Sequence, residues 1–183
     1  MDSEKALIEG CKKGDRISQR ELYDQYASKM MVVCMRYSKS DQEAEDILQE
    51  SFIKVFNKIR DFKGESRLIY WIKRIVINTA LNHGRRKLYM FPMVDVTDME
   101  DAVASDFSLA RFHFTELLKM IQQLPSGCQV VFNLYAIEGY NHNEIAEMLK
   151  ISVGTSKSQY SRARALLREM IGKEEKISYG HAE

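Results

Sequence analysis

The sequence predicts an all-α protein made of two small helical domains, and three observations carry that prediction. Apolar residues recur at steps of three and four along most of the chain, and nowhere do they alternate as a half-buried strand requires. Only two prolines and nine glycines interrupt the 183 residues, so long helices meet few breakers. Charge is sorted into blocks, one of which coincides with a stretch of little periodicity. That stretch, FPMVDVTDMEDAVASDFS, holds Pro92 and has five acids and no base between Asp95 and Asp106. It reads as a flexible acidic linker over residues 90–107. The linker separates an N-terminal domain, 1–89, from a C-terminal one, 108–171, and the tail 172–183 has no apolar face and is expected to be disordered.

Composition removes several classes. A hydrophobic fraction of 45% with 29% charged residues is that of a globular protein and not of a disordered one. Cys11, Cys34 and Cys128 are odd in number and form no C-x-x-C pair, which argues against a disulfide framework or a zinc ribbon and suits a reducing compartment. The opening MDSEKALIEGCKKGD places acids before any apolar run, unlike a signal peptide. No apolar stretch approaches the roughly 20 residues of a membrane span. A cytoplasmic protein with no membrane insertion is expected. His83, His113, His142 and His181 are scattered, and no Gly-rich phosphate loop or nucleophile motif is present. No catalytic residue, metal or cofactor is expected.

In the N-terminal domain, Leu22, Tyr26, Met30, Val33, Cys34 and Tyr37 define one helical apolar face. Ala44, Leu48, Phe52, Val55, Phe56 and Ile59 define the next. Met30, Met31 and Met35 read as core filling, since methionine packs irregular helix junctions. Between Asp41 and Ser51 lie five acids and no base. With the apolar face turned inward, Glu43, Asp46, Gln49, Glu50 and Ile53 form an outward stripe that repels DNA and reads as a protein-docking face.

From Ser66 to Val94 the pattern reverses: six bases and no acid. Arg67, Trp71, Arg74, Asn78, Asn82 and Arg85 follow at three- and four-residue steps, so they share one stripe of a single helix, while Ile72, Ile75 and Thr79 face the packing side. Cations for a backbone, an aromatic platform for an unstacked base and amides for base edges suit single-stranded or forked DNA.

The C-terminal domain ends in HNEIAEMLK, then ISVGT, then TSKSQYSRARALLREMI: a short helix, a tight turn containing Gly154, and a longer helix. This is a helix-turn-helix pattern, whose second helix enters the major groove. On a helical projection Tyr160, Ala163, Leu167 and Met170 face the core. Thr155, Ser158, Gln159 and Arg162 face away, toward base edges. Lys157, Arg164 and Arg168 make a basic stripe suited to phosphates. Five bases and no acid between Met148 and Arg168 support the assignment. A stand-alone helix-turn-helix regulator also fits this half of the chain.

Taken in order, LYDQYASKM, AEDILQESFIKVF, F-x-G-E-S-x-L-x-x-W-I-x-R-I-x-x-N with an Arg-Arg pair, then LP, EIAEMLKISVGT and SRARALL resemble the extracytoplasmic-function (ECF) sigma factors over about residues 5–170. The resemblance implies a non-catalytic initiation factor that binds core RNA polymerase and promoter DNA, both duplex and melted, and that an anti-sigma factor restrains. It implies that Glu43, Asp46, Gln49, Glu50 and Ile53 dock on the polymerase clamp helices. It implies that Lys63, Ser66, Arg67, Trp71, Arg74, Asn78, Asn82, Arg85 and Arg86 serve the minus-ten element. Thr155, Lys157, Ser158, Gln159, Arg162, Arg164 and Arg168 would serve the minus-thirty-five element. Where the family usually has T-V-K-S-R-L, this chain has Thr155-Ser156-Lys157-Ser158-Gln159-Tyr160, and an amide at Gln159 favours adenine where arginine favours guanine. The aromatic common at the position of Leu68 is also absent.

Overall fold

A computed structural model describes residues 2–88 and 114–180, with side chains over 3–84 and 114–173. The chain divides into two compact units, 1–86 and 87–183. The expected linker, 90–107, lies outside the described residues. Among those residues the secondary structure is helical, with no strand.

In the first unit, α1 (Asp2–Lys12) turns into α2 (Arg16–Tyr37), whose start is capped by Asp15 accepting from the Ser18 amide at 2.9 Å. Helix α2 buries Leu22, Tyr26, Met30, Val33, Cys34 and Tyr37, the face its spacing predicts. Met30 is buried, whereas Met31 and Met35 are half-buried at its edge. Helix α3 (Asp41–Lys58) lays Ala44, Ile47, Leu48, Phe52 and Val55 against α2, and Tyr23 meets Phe52 edge-on at 4.7 Å. A 3₁₀ turn, Ile59–Asp61, follows, and Arg60 Nε donates to the Lys12 carbonyl at 3.1 Å, tying this turn to the end of α1. The loop to α4 (Leu68–Leu88) pivots on Gly64, whose φ of 78° suits a residue without Cβ. Leu68, Ile72, Val76, Ile77, Thr79, Ala80 and Leu81 turn α4 inward, and Ile75 is half-buried.

In the second unit, α5 (Phe114–Gln123) ends at Leu124-Pro125, and the Pro125 carbonyl receives the Gln129 amide at 2.9 Å as α6 (Ser126–Phe132) begins. Helix α6 widens into a π-helical turn, Asn133–Ile137, and closes at Gly139. Helix α7 (His142–Leu149) carries a complete capping box: Asn141 accepts from the Glu144 amide at 3.0 Å, and Glu144 accepts from the Asn141 amide at 2.7 Å. Helix α8 (Val153–Gly180) packs Ala163, Leu167 and Ile171 with Met120, Ile121, Leu124, Cys128 and Phe132.

Two expectations are corrected here. The sharp residue of the turn between α7 and α8 is Lys150, at φ 58° and ψ 48°, and not Gly154, which lies inside the first turn of α8. Ser152 starts α8 one residue before the helix proper, accepting from the Thr155 amide at 2.9 Å, so the connection is shorter than the glycine suggests. The tail expected to be disordered from 172 instead continues α8 as far as Gly180. A Glu169–Lys173 pair at 2.7 Å and the proline-free Lys173-Glu174-Glu175-Lys176 run allow it.

Candidate nucleic-acid interface and docking face

On α3 the outward stripe is narrower than its charges suggest. Asp46, Gln49 and Ile53 are exposed, Ile53 by 61%, which leaves a large aliphatic side chain in solvent beside a carboxylate and an amide. Glu50 is half-buried and holds Lys54 at 2.7 Å. The Lys54 ammonium also donates to Thr79 Oγ1 at 3.3 Å, so Glu50 lies at the margin of the stripe, bracing α3 to α4. Glu43 leaves the stripe altogether. Its carboxylate accepts the Lys39 amide at 2.9 Å and approaches His83 Nδ1 at 3.9 Å, and its side chain is 12% exposed. The physical reason is a helix cap: Ser40 accepts from the Glu43 amide at 3.2 Å, and the Ser-x-x-Glu spacing of residues 40–43 is its sequence signature.

The α4 face holds most of its predicted members. Lys63, Ser66 and Arg67 are exposed in the preceding loop, and Arg74, Asn78 and Asn82 are exposed along the helix. Arg85 and Arg86 lie on α4, with side chains outside the described set. Trp71 is corrected. It is half-buried, with its ring 5.3 Å from that of Phe62, itself only 7% exposed. The indole belongs in part to the seam between the loop and α4, because the chain turning at Gly64 brings Phe62 back over the helix start. The aromatic that does stand in solvent is Tyr70, 57% exposed, with the Arg67 guanidinium 5.9 Å from its ring centre. Reading a single stripe through Trp71 passed over its neighbour.

Helix α8 departs furthest from the projection. Its buried line runs Thr155, Gln159, Ala163, Leu167, Ile171, with Ser156 beside it. Gln159 is 6% exposed and accepts a hydrogen bond from the Cys128 thiol at 3.0 Å, so it does not face a base edge. Thr155 is 7% exposed and shares a 2.8 Å hydrogen bond with Ser152, so it closes the turn. Gly154 and Lys157 are exposed instead, and Ser158, Ser161, Arg162, Arg164 and Arg168 are half-buried. On a helical wheel centred on the buried line, Ser161 lies on the far side.

Tyr160, expected in the core, joins an aromatic group at its edge. It lies 4.5 Å from Tyr135 and 6.0 Å from His142 between centroids, and Arg164 sits 5.8 Å over its other side. His142 stacks on Tyr135 at 4.3 Å, and its Nδ1 is 2.9 Å from Ser156 Oγ. Burial, with a smaller push from the Lys157 charge, holds His142 below its ordinary pKa. This group ties α7 to α8 and to the π-helical turn. Among the described residues no group of side chains is arranged to hold a metal ion, and no helix is long and apolar enough to cross a membrane.

Chemically, the first unit offers a mixed acidic and apolar stripe and, on another helix, a cationic face with an exposed ring. The second offers a helix whose side away from the core is small, polar and cationic. Comparison with known proteins agrees with that division. Residues 22–88 match the model of sigma-70 region 2, and residues 114–167 match sigma-70 region 4. The RNA polymerase sigma-H factor of Pseudomonas aeruginosa is 33% identical over 181 residues, covering 90% of this chain and 91% of that protein. The ECF RNA polymerase sigma-E factor of Haemophilus influenzae is 29% identical over 185 residues, covering 92% and 95%. A structure of the sigma factor RpoE in complex with the anti-sigma factor NepR from Bartonella quintana shares the fold at a TM-score of 0.53 and 20% identity, covering 84% of this chain and 96% of that one. The chain belongs to the sigma-70 family of RNA polymerase sigma factors, in its extracytoplasmic-function group.

Proposed function

We propose that the chain is an alternative sigma factor in which each face described above meets a different partner. Asp46, Gln49 and Ile53, with Glu50 at the margin, dock on core RNA polymerase. Arg67, Arg74, Asn78 and Asn82, with Lys63, Ser66, Arg85 and Arg86, follow the minus-ten element as it opens. Lys157, Ser158, Ser161 and Arg162 approach the minus-thirty-five element, with Arg164 and Arg168 toward phosphates. The chain performs no chemistry of its own in this reading, since nucleotide addition belongs to core polymerase. A cytoplasmic location and restraint by an anti-sigma factor, at the membrane or free, accompany it.

One observation carries the reading: within one unit an acid-bearing exposed stripe on α3 and an acid-free exposed stripe on α4 are kept on separate helices. A surface that serves only solubility mixes its signs. The test is holoenzyme assembly from the full chain and core polymerase. Asp46→Lys weakens assembly at least about tenfold, because like charge across an interface costs several kcal/mol. Its melting curve stays that of the wild type, because Asp46 is exposed. Equal assembly by the variant removes the docking assignment, and a wild-type chain that does not bind core at all removes the sigma-factor reading.

A further inference from the structure

Tyr160 is met by two kinds of neighbour. Three are rings: Tyr135 at 4.5 Å between centroids, His142 edge-on at 6.0 Å, and Phe132 stacked at 6.3 Å. The fourth is a cation, the Arg164 guanidinium, 5.8 Å from the ring centre. His142 is itself held, by its stack on Tyr135 and by Ser156 Oγ, 2.9 Å from its Nδ1. The Tyr160 ring is therefore fixed from the π-helical turn, from α6 and from α7, while it remains half-buried. Burial pushes its hydroxyl above the ordinary pKa and the Arg164 charge pulls it back, as befits close neighbours. Lys157, Ser161 and Arg164 follow at steps of four and three, so Arg164 shares the side of α8 that lies away from the buried line.

An arginine that grips a phosphate gives up rotamer freedom, and a ring that already holds the guanidinium removes part of that loss. From this arrangement we propose that Tyr160 is a positioning residue, whose fixed ring holds the Arg164 guanidinium ready for a phosphate of the minus-thirty-five duplex. A flat guanidinium can lie over a ring and still present the N–H groups of its edge to phosphate oxygens. The proposal rests on the reading of α8 as the minus-thirty-five helix and adds the side chain that aims its phosphate contact.

The experiment titrates holoenzyme, made from the full chain and core polymerase, with a duplex that the wild-type holoenzyme selects from randomised DNA. Affinity is measured over a range of KCl concentrations, because each phosphate contact adds about 0.9 to the slope of log affinity against log salt. Tyr160→Leu keeps apolar bulk and removes the ring. It should make the slope shallower by about 0.9 and weaken binding about eightfold at about 0.1 M salt. Tyr160→Phe keeps the ring and should stay near wild type in both. Arg164→Ala should lose as much as Tyr160→Leu, and combining the two should cost nothing further. A merely structural loosening of α8 lowers affinity by one factor at every salt concentration and leaves the slope alone. A wild-type slope for Tyr160→Leu or Arg164→Ala, or losses that add in the double variant, overturns the positioning role while leaving α8 on DNA. A slope unmoved by Lys157→Ala and Arg164→Ala alike overturns the reading of α8 as well.

Discussion

For replacement of Gln159 by arginine, the structure predicts damage to stability in preference to a change of promoter. The amide is 6% exposed, and its oxygen receives the Cys128 thiol at 3.0 Å in a line of buried residues with Ala163 and Leu167. A guanidinium there gives up that bond and takes a charge out of water with no acid between Met148 and Arg168 to meet it. An uncompensated buried charge costs about 3–5 kcal/mol. Small domains lose roughly 4–8 °C of melting temperature per kcal/mol, so the second unit should melt more than about 12 °C lower. Gln159→Leu is the control. It keeps the shape and removes only the acceptor of a weak S–H donor, so it costs about 1 kcal/mol or less. Hydrogen exchange on the full chain, followed by mass spectrometry, reads the two units separately. Amides of α6 and α8 should lose protection in Gln159→Arg, and those of α2 and α3 should not. Unchanged protection together with a new preferred minus-thirty-five sequence would refute the buried placement and return Gln159 to the DNA face.

Three further outcomes follow from local geometry. Gly154→Ala should be neutral or stabilising by up to about 1 kcal/mol in thermal melts, because its φ is ordinary and an added Cβ meets only Ser152 Oγ at 3.5 Å. His142, held below its ordinary 6.5, favours the neutral ring in the fold, so it contributes stability above that pH that is lost as pH falls from about 6.5 through the folded value. His142→Phe keeps the stack on Tyr135 and should flatten the acid side of a stability-versus-pH curve; a slope equal to wild type would assign the loss to other groups. Trp71→Ala should destabilise the first unit by about 2 kcal/mol, below the 3–5 of a fully buried ring, and this should appear in exchange of α4 amides without any DNA present.

Helices α2 and α3 were legible because their buried faces are built from the residue types that a periodicity argument weighs. Leu22, Tyr26, Met30 and Val33 are apolar and inside together. Glu43 was misplaced although its signal was present, since five acids in a run invite a charge argument while Ser40 and Glu43 spell a helix cap. The π-helical turn at Asn133–Ile137, which brings Tyr135 onto His142, has no pattern that distinguishes it from plain helix. Helix α8 failed for a more general reason. Its buried line advances by four residues at each step, and four residues at about 100° each overshoot a full turn by about 40°. From Thr155 to Ile171 the line therefore winds roughly 160° around the helix, so no single projection represents both ends. Anchoring the projection on Tyr160 and Met170, both only half-buried, rotated the N-terminal end enough to turn Thr155 and Gln159 outward. Those two side chains, with Ser156, are polar yet supplied with partners inside the unit: Ser152, Cys128 and His142. Their work is to seat the start of α8, and that seating leaves Lys157 exposed and Ser158 and Ser161 half-buried on the side away from the buried line.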